Sequence, residues 1–214
     1  DEPHNHNDIG SFLFHVGGET LLVDAGMGED TKQYFGPERY TYLVARSAGH
    51  SVPIVEDGEQ RAGAAHRATV LSHSVSEEED AFAIDMAAAY GNDNLLSLIR
   101  RFRFLKAEAP PVLSLRDEFR FARAPASVVE RFVSFAAPDA VSPGRVRIAG
   151  EKFAVDLLYD ADRFEFRPGI GEYMSHRGNP QRRVMKMELH LLDFVAKHPD
   201  AELSAEFRFV PAAL

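Results

Sequence analysis

The feature that most constrains this chain is an alternation of period two built on phenylalanine. Arg101 and Arg103 interleave with Phe102 and Phe104, and Arg163, Glu165 and Arg167 interleave with Phe164 and Phe166. Successive side chains of a strand point to opposite faces, so such runs keep charge in water and turn rings toward a buried face. Sixteen phenylalanines supply the ring volume to fill the space between two packed sheets. Ser11–Val16 and Thr20–Asp24 flank Gly17-Gly18, the composition of a tight hairpin. Further strands are expected at Val52–Glu56, His66–Val75, Ile99–Leu105, Val112–Ala122 and Val128–Ala136. Arg145–Ala149, Phe153–Tyr159, Arg163–Arg167, Val184–Leu192 and Leu203–Val210 complete the series. Helix signals are few: Asp80–Tyr90 reads as a strand running into a helical turn stopped by Gly91-Asn92, and Leu191–Lys197 as a second short helix. Strands in succession without intervening helices predict an all-β fold, a large antiparallel two-sheet sandwich. With no internal repeat and no low-complexity linker, residues 1–214 read as one domain.

Composition excludes several classes of function. Cysteine is absent, so disulfides, iron–sulfur clusters and thiolate zinc sites are ruled out and any metal must be held by nitrogen and oxygen. No apolar run reaches the roughly 20 residues of a membrane span. Residues 1–60 carry eleven acidic groups against three basic ones, while the remaining 154 hold 22 against 21, which together make the net charge of −9. Nucleic-acid binding needs a basic face that releases counterions, and none is present at scale. An acidic first quarter with spaced histidines suits a cation better.

The residues able to hold one are concentrated in His4-Asn5-His6-Asn7-Asp8. On an extended segment His4 and His6 point the same way. Pairing in register across Gly17-Gly18 would set Asp24 opposite residues near position 11, within a few residues of His6. His50 follows in Ser47-Ala48-Gly49-His50-Ser51. Two imidazoles and a carboxylate with an open fourth position form a zinc ligand set, here His6, Asp24 and His50. His15, His73, His190 and His198 lack such company and read as ordinary surface or core residues.

The ordered set His4-Asn5-His6-Asn7-Asp8-Ile9-Gly10-Ser11-Phe12, Leu21-Leu22-Val23-Asp24-Ala25-Gly26, Ser47-Ala48-Gly49-His50-Ser51 and Asp57-Gly58-Glu59-Gln60 resembles the heparinase II/III-like polysaccharide lyases. The resemblance is rich in motifs over residues 4–60 and continues faintly through Asp85–Tyr90 and Arg101 to Phe119. It implies the two-sheet "supersandwich" module that follows an all-helical toroid domain in those enzymes, so that this chain is expected to be a C-terminal piece of a longer lyase. It also implies a zinc, of structural kind, at His6, Asp24 and His50, and a place for His4 along the substrate cleft as the catalytic acid–base group. Asn5 and Gln60 are the neighbouring candidates for substrate binding. The activity implied is β-elimination at a uronic acid in an anionic polysaccharide such as a glycosaminoglycan or alginate, in a periplasmic or secreted protein. The basic run Arg177, Arg182, Arg183 and Lys186 could grip such a chain, although it reads first as a solvated face. Two other classes compete: a carbohydrate-binding or structural sandwich without catalysis, and a metal-dependent hydrolase using His4, His6, Asp24 and His50 together. Unsaturated uronides mark the lyase, new reducing ends alone mark the hydrolase, and a binding module releases neither.

Overall fold

The computed structural model describes residues 4–29, 31–175 and 183–214. Two sheets face each other. The larger contains β4 (Thr69–Val75), β5 (Glu79–Asp85), β6 (Leu95–Leu105), β7 (Val112–Phe121), β14 (Glu202–Ala213), β11 (Phe153–Tyr159), β10 (Arg145–Ala149) and β9 (Pro138–Ser142), paired in that order. The smaller runs β12 (Phe164–Ser175), β13 (Met185–Ala196), β8 (Val128–Ser134) and β3 (Ile54–Val55). A separate hairpin joins β1 (Phe14–Val16) to β2 (Glu19–Leu22) through Gly17-Gly18, both with positive φ (57° and 91°), as a primed two-residue turn requires. The strand pairs within the sheets are antiparallel. The all-β sandwich is the fold that the alternation predicts.

Phenylalanine fills the gap between the sheets, as expected. Phe132 and Phe194 of the smaller sheet meet Phe207 of the larger with ring centroids 4.9 and 5.0 Å apart, and Phe132 meets Phe209 at 5.3 Å. These are edge-to-face contacts, which suit the ring quadrupole. Phe12 wedges in from the N-terminal segment against Phe102, Phe132 and Phe209. On the opposite face of the smaller sheet a second apolar cluster forms. There Val23, Ala25, Tyr34, Val44 and Ala45, all from a loop layer, pack on Val133, Tyr173 and Leu189. That loop layer carries the candidate site.

Three sequence expectations differ from the structure. Asp80–Tyr90 does run from strand into helix, β5 followed by α1 (Ala87–Tyr90). Leu191–Lys197, however, is strand up to Ala196: it lies in β13, with Leu191 to Val195 paired on both sides with β12 and β8. Its leucines and alanine favour helix in isolation, but two ladders and the burial of Leu192, Phe194 and Ala196 outweigh that preference. β9, which opens with Pro138 at the sheet edge where its missing N–H costs nothing, has no counterpart among the expected strands. Asp24 does not face residue 11 across the hairpin either. Pairing ends at Phe14 with Leu22, and the Val23 amide donates instead to Val133 O on β8 (3.0 Å).

The interior holds one ionic cluster. Arg100 on β6, Asp117 on β7 and Glu130 on β8 are buried between the sheets. The Arg100 guanidinium donates to both Asp117 oxygens (2.6–3.1 Å) and to Glu130 Oε2 (3.3 Å). Its remaining nitrogen donates to Gly10 O and Ser51 O, each at 2.8 Å, which ties two segments of the loop layer to the large sheet. Burial, reinforced by the Asp117 charge, holds the Glu130 carboxyl well above the usual carboxylate range, which favours its protonated form in the fold. The folded state then keeps a proton that the unfolded state loses above about pH 4.5. Stability is therefore full below that pH and declines as pH rises toward the folded value, by up to about 1.4 kcal/mol per unit. Glu130→Gln, which cannot ionise, should remove this slope in urea unfolding followed from pH 5 to 9. Parallel slopes for the two proteins would show that Glu130 is ionised in the fold.

Candidate functional site

The segment from His4 to Gly10 forms no strand and, apart from a turn bond from Ser11 N to Asp8 O (2.8 Å), is fixed by distant partners. The Asn7 amide donates to Ala45 O (3.0 Å) and the Ser47 hydroxyl to Asn7 O (2.6 Å). The Gln60 side chain accepts from Ile9 N (2.7 Å) and donates to Ile9 O (2.8 Å), completing both backbone groups of that residue. Gln60 is buried. Arg100 holds Gly10 from below. The loop carrying His50 is fixed in the same way: Arg131, paired with Asp193, donates to Ala48 O (3.0 Å), and the Ala48 amide donates to Glu59 (2.9 Å). Gly49 precedes His50 because a side chain would not fit there. A Cβ at that position would lie 2.2 Å from Leu43 O.

These clamps gather His6, Asp8, Asp24 and His50, whose candidate donor atoms all lie within 4.8 Å of one another. His50 is wholly buried. Its Nε2–H donates to Val44 O (2.9 Å), which leaves Nδ1 to face the cluster, 3.4 Å from Asp24 Oδ2 and 4.0 Å from Asp8 Oδ2. Nδ1 is buried without a hydrogen-bond partner. The His6 ring stands 5.2 Å from the His50 ring, and its Nε2 is 3.2 Å from the Tyr34 hydroxyl. The electrostatics match a place built for positive charge. The His50 imidazole beside Asp24 pulls that carboxyl down to about 2. Burial alone would depress His50, but Asp24 and Asp8 carry it above the ordinary imidazole range. Burial and the neighbouring His50 push His6 down.

An orphaned, fully buried imidazole nitrogen aimed at two carboxylates and a second imidazole fits a divalent cation. A backbone carbonyl fixes the tautomer on the far side of the ring, as is common for metal-bound histidine. Sequence reasoning omits Asp8 from the ligand set, although the same alternation that aligns His4 with His6 continues to Asp8. His4 lies apart from the cluster, exposed, its ring edge-on to Phe35 at 5.3 Å. Asn5 is half-buried and exchanges hydrogen bonds with the Tyr40 hydroxyl (3.1 and 3.2 Å). The engagement of both Gln60 amide atoms gives that residue a role in positioning the His4–Gly10 segment. Of the basic run, Arg177 and Arg182 lie outside the described residues, and Lys186 pairs with exposed Glu172 (2.7 Å). No helix among the described residues is long and apolar enough to cross a membrane.

Comparison with known proteins agrees with this architecture. The structure resembles a heparan sulfate lyase HepC from Pedobacter heparinus (TM-score 0.73, 13% identity) and a mutant of it (0.73, 14%), each over 98% of this chain and 31% of theirs. It also resembles the heparinase III BT4657 gene product (0.68, 12%) over 98% of this chain and 30% of that one. The chain thus spans about a third of the length of these enzymes. No curated protein sequence matches it. The family described as Heparinase II/III-like, C-terminal matches residues 2–148, and the chain belongs to that family.

Proposed function

We propose that this domain forms one wall of the active site of a polysaccharide lyase that cleaves uronic-acid-containing chains by β-elimination. The observation that carries the proposal is the placement of exposed His4 two residues from a clamped cluster of four cation ligands. In the reaction a base removes the C5 proton of the uronate, the C4–O bond breaks with formation of a C4–C5 double bond, and an acid returns a proton to the leaving oxygen. Histidine titrates in the range that serves either transfer, and His4 is the group that takes that part here. Its imidazole reaches solvent, where a sugar can approach. Asn5, held by Tyr40, borders it and can orient a hydroxyl or carboxylate. Neutralising the uronate carboxylate lowers the barrier to proton loss, and a second wall, a helical domain of the same longer protein, would supply that part of the site.

His6, Asp24, His50 and Asp8 would hold the cation, zinc by the character of the nitrogen and oxygen donors, and its contribution is charge compensation that fixes the segment bearing His4. The similarity to a heparan sulfate lyase supports an anionic polysaccharide as substrate, and a periplasmic or secreted setting belongs to the same reading. The lyase reading is tested by ultraviolet absorbance of unsaturated uronides when the longer protein acts on heparan-type chains and on alginate. Products with new reducing ends but no unsaturation would overturn it in favour of hydrolysis. The cation is tested separately. Zinc at 100 times its Kd should raise the stability of this chain by about 2.7 kcal/mol, and His50→Ala should abolish that increment. An equal increment in both proteins would place the ion elsewhere.

A further inference from the structure

A cavity of about 590 Å³ lies between β3 and the turn after α1 and is lined in part by Glu56, Glu59, Arg61, Gly91, Asn92 and Arg123. A smaller one, about 120 Å³, is lined in part by Asn5, His6, Asn7, Gln60, Arg61 and His66. Both cavities are lined by Arg61, so the larger one, with Arg123 on its wall, lies beside the candidate site as a shallow groove. The sequence gives little hint of it: Arg61, His66 and Arg123 belong to none of the motifs.

The charges along this groove are committed unequally. Glu56 sits in a left-handed turn (φ 52°) that is unusual for a non-glycine residue. Its carboxylate accepts from Asn92 Nδ2 (3.0 Å), Asn94 Nδ2 (3.2 Å) and Ala126 N (3.3 Å). Glu59 is taken up by Arg46 and by the Ala48 amide. Asp93 is the remaining acid on the rim. Arg61 lies flat over the turn, where a Cβ on Gly91 would stand 3.0 Å from its Cδ, and its amide donates to Ala89 O (2.8 Å). Its side chain is thus braced by packing while its guanidinium makes no ion pair or hydrogen bond among the described residues. The Arg123 backbone is pinned on both sides by the Asn94 amide. Its guanidinium is exposed and acts on Glu56 only through longer-range attraction. His66 Nδ1 lies 3.2 Å from Ala88 O, which turns its other nitrogen away from that carbonyl.

We propose that this groove is a subsite for the anionic group, carboxylate or sulfate, of a sugar next to the one held at His4, with Arg61 and Arg123 as its specificity determinants. Two exposed arginines, Arg61 packed on Gly91 and Arg123 anchored through its backbone, beside Glu56 and Glu59 that are already engaged, present forks suited to such anions. The inference rests on the lyase reading for its substrate class but not for its test. This chain is titrated by calorimetry with three probes of equal length: a heparan sulfate tetrasaccharide, an unsulfated uronate tetrasaccharide and neutral cellotetraose. The charged probes are expected to bind and the neutral one not to. Arg61→Ala and Arg123→Ala should each weaken binding about tenfold or more, with partial recovery in Arg61→Lys and no change in Arg208→Ala, which lies in a surface pair with Glu108. Preference for the sulfated over the unsulfated probe, lost in the variants, assigns the arginines to sulfate; equal losses for both assign them to carboxylate. Undiminished affinity in the double variant, absence of binding to both charged probes, or equal binding of cellotetraose overturns the subsite. Elimination by the longer protein alongside undiminished affinity in the double variant defeats the subsite alone. Arginine-dependent binding without elimination defeats the lyase reading alone.

Discussion

Arg100→Met should lower the unfolding free energy by about 3–5 kcal/mol, the cost of breaking a buried ion pair from one side. Burial holds the Glu130 carboxyl toward its protonated form, and removing the guanidinium strands Asp117 between the sheets. It also strips a donor from Gly10 O and Ser51 O at once. A domain has only about 5–15 kcal/mol in hand, so the variant should unfold at much lower urea. Replacing all three groups with apolar residues, as Arg100→Met, Asp117→Leu and Glu130→Leu together, should recover much of the loss, because no unpaired charge remains buried. The two carbonyls would still lack a donor, so zinc affinity should fall even where stability returns. A single variant as stable as the parent would mean that Asp117 simply protonates and the cluster is incidental.

His4→Ala should reduce elimination by the longer protein by about 10²–10⁴-fold, the range expected when a general acid–base group is lost. The imidazole is exposed, edge-on to Phe35, so the fold should be unaffected, and a loss of activity with unchanged melting separates chemistry from stability. The result that sinks the assignment is full turnover in the variant. Gln60→Ala makes the contrast. It removes both bonds to Ile9, so its effect should appear in stability and in zinc affinity, with activity following.

Much of the sandwich is legible in the sequence because its information is local. Alternation such as Arg101-Phe102-Arg103-Phe104 states which residues face inward without reference to any partner, and Gly17-Gly18 marks its turn unaided. Legibility fails where pairing decides. Leu191–Lys197 carries helical preference, and only its neighbours β12 and β8 make it strand. In the site, His6, Asp24 and His50 can be picked out by residue type and motif, and they are indeed brought together with Asp8. The route by which Asp24 arrives is different, through Val23 on β8 rather than across the hairpin, because register past a bulge cannot be read from one strand. Gln60 is recognisable as part of a motif, but its two bonds to Ile9 depend on a contact 51 residues distant. The groove at Arg61 is invisible for the same reason: its walls come from three stretches of chain with no shared pattern.

The clamps on the His4–Gly10 segment also set an order of events in folding. Each clamp spans a long loop, from 38 residues between Asn7 and Ala45 to 90 between Gly10 and Arg100, and loop closure of that kind is slow. The four side chains can therefore converge only once contacts of this long range have formed, a range shared by the sheet pairings of Glu202 with Arg120 and of Ile54 with Val129. A cation held by this cluster is therefore expected to bind late, at a stage when much of the native surface is already buried. Interactions absent from the folding transition state leave the folding rate untouched and retard unfolding. Zinc should accordingly act as a latch, leaving refolding kinetics unchanged while prolonging the lifetime of the native state, as refolding and unfolding rates measured with and without the ion would register.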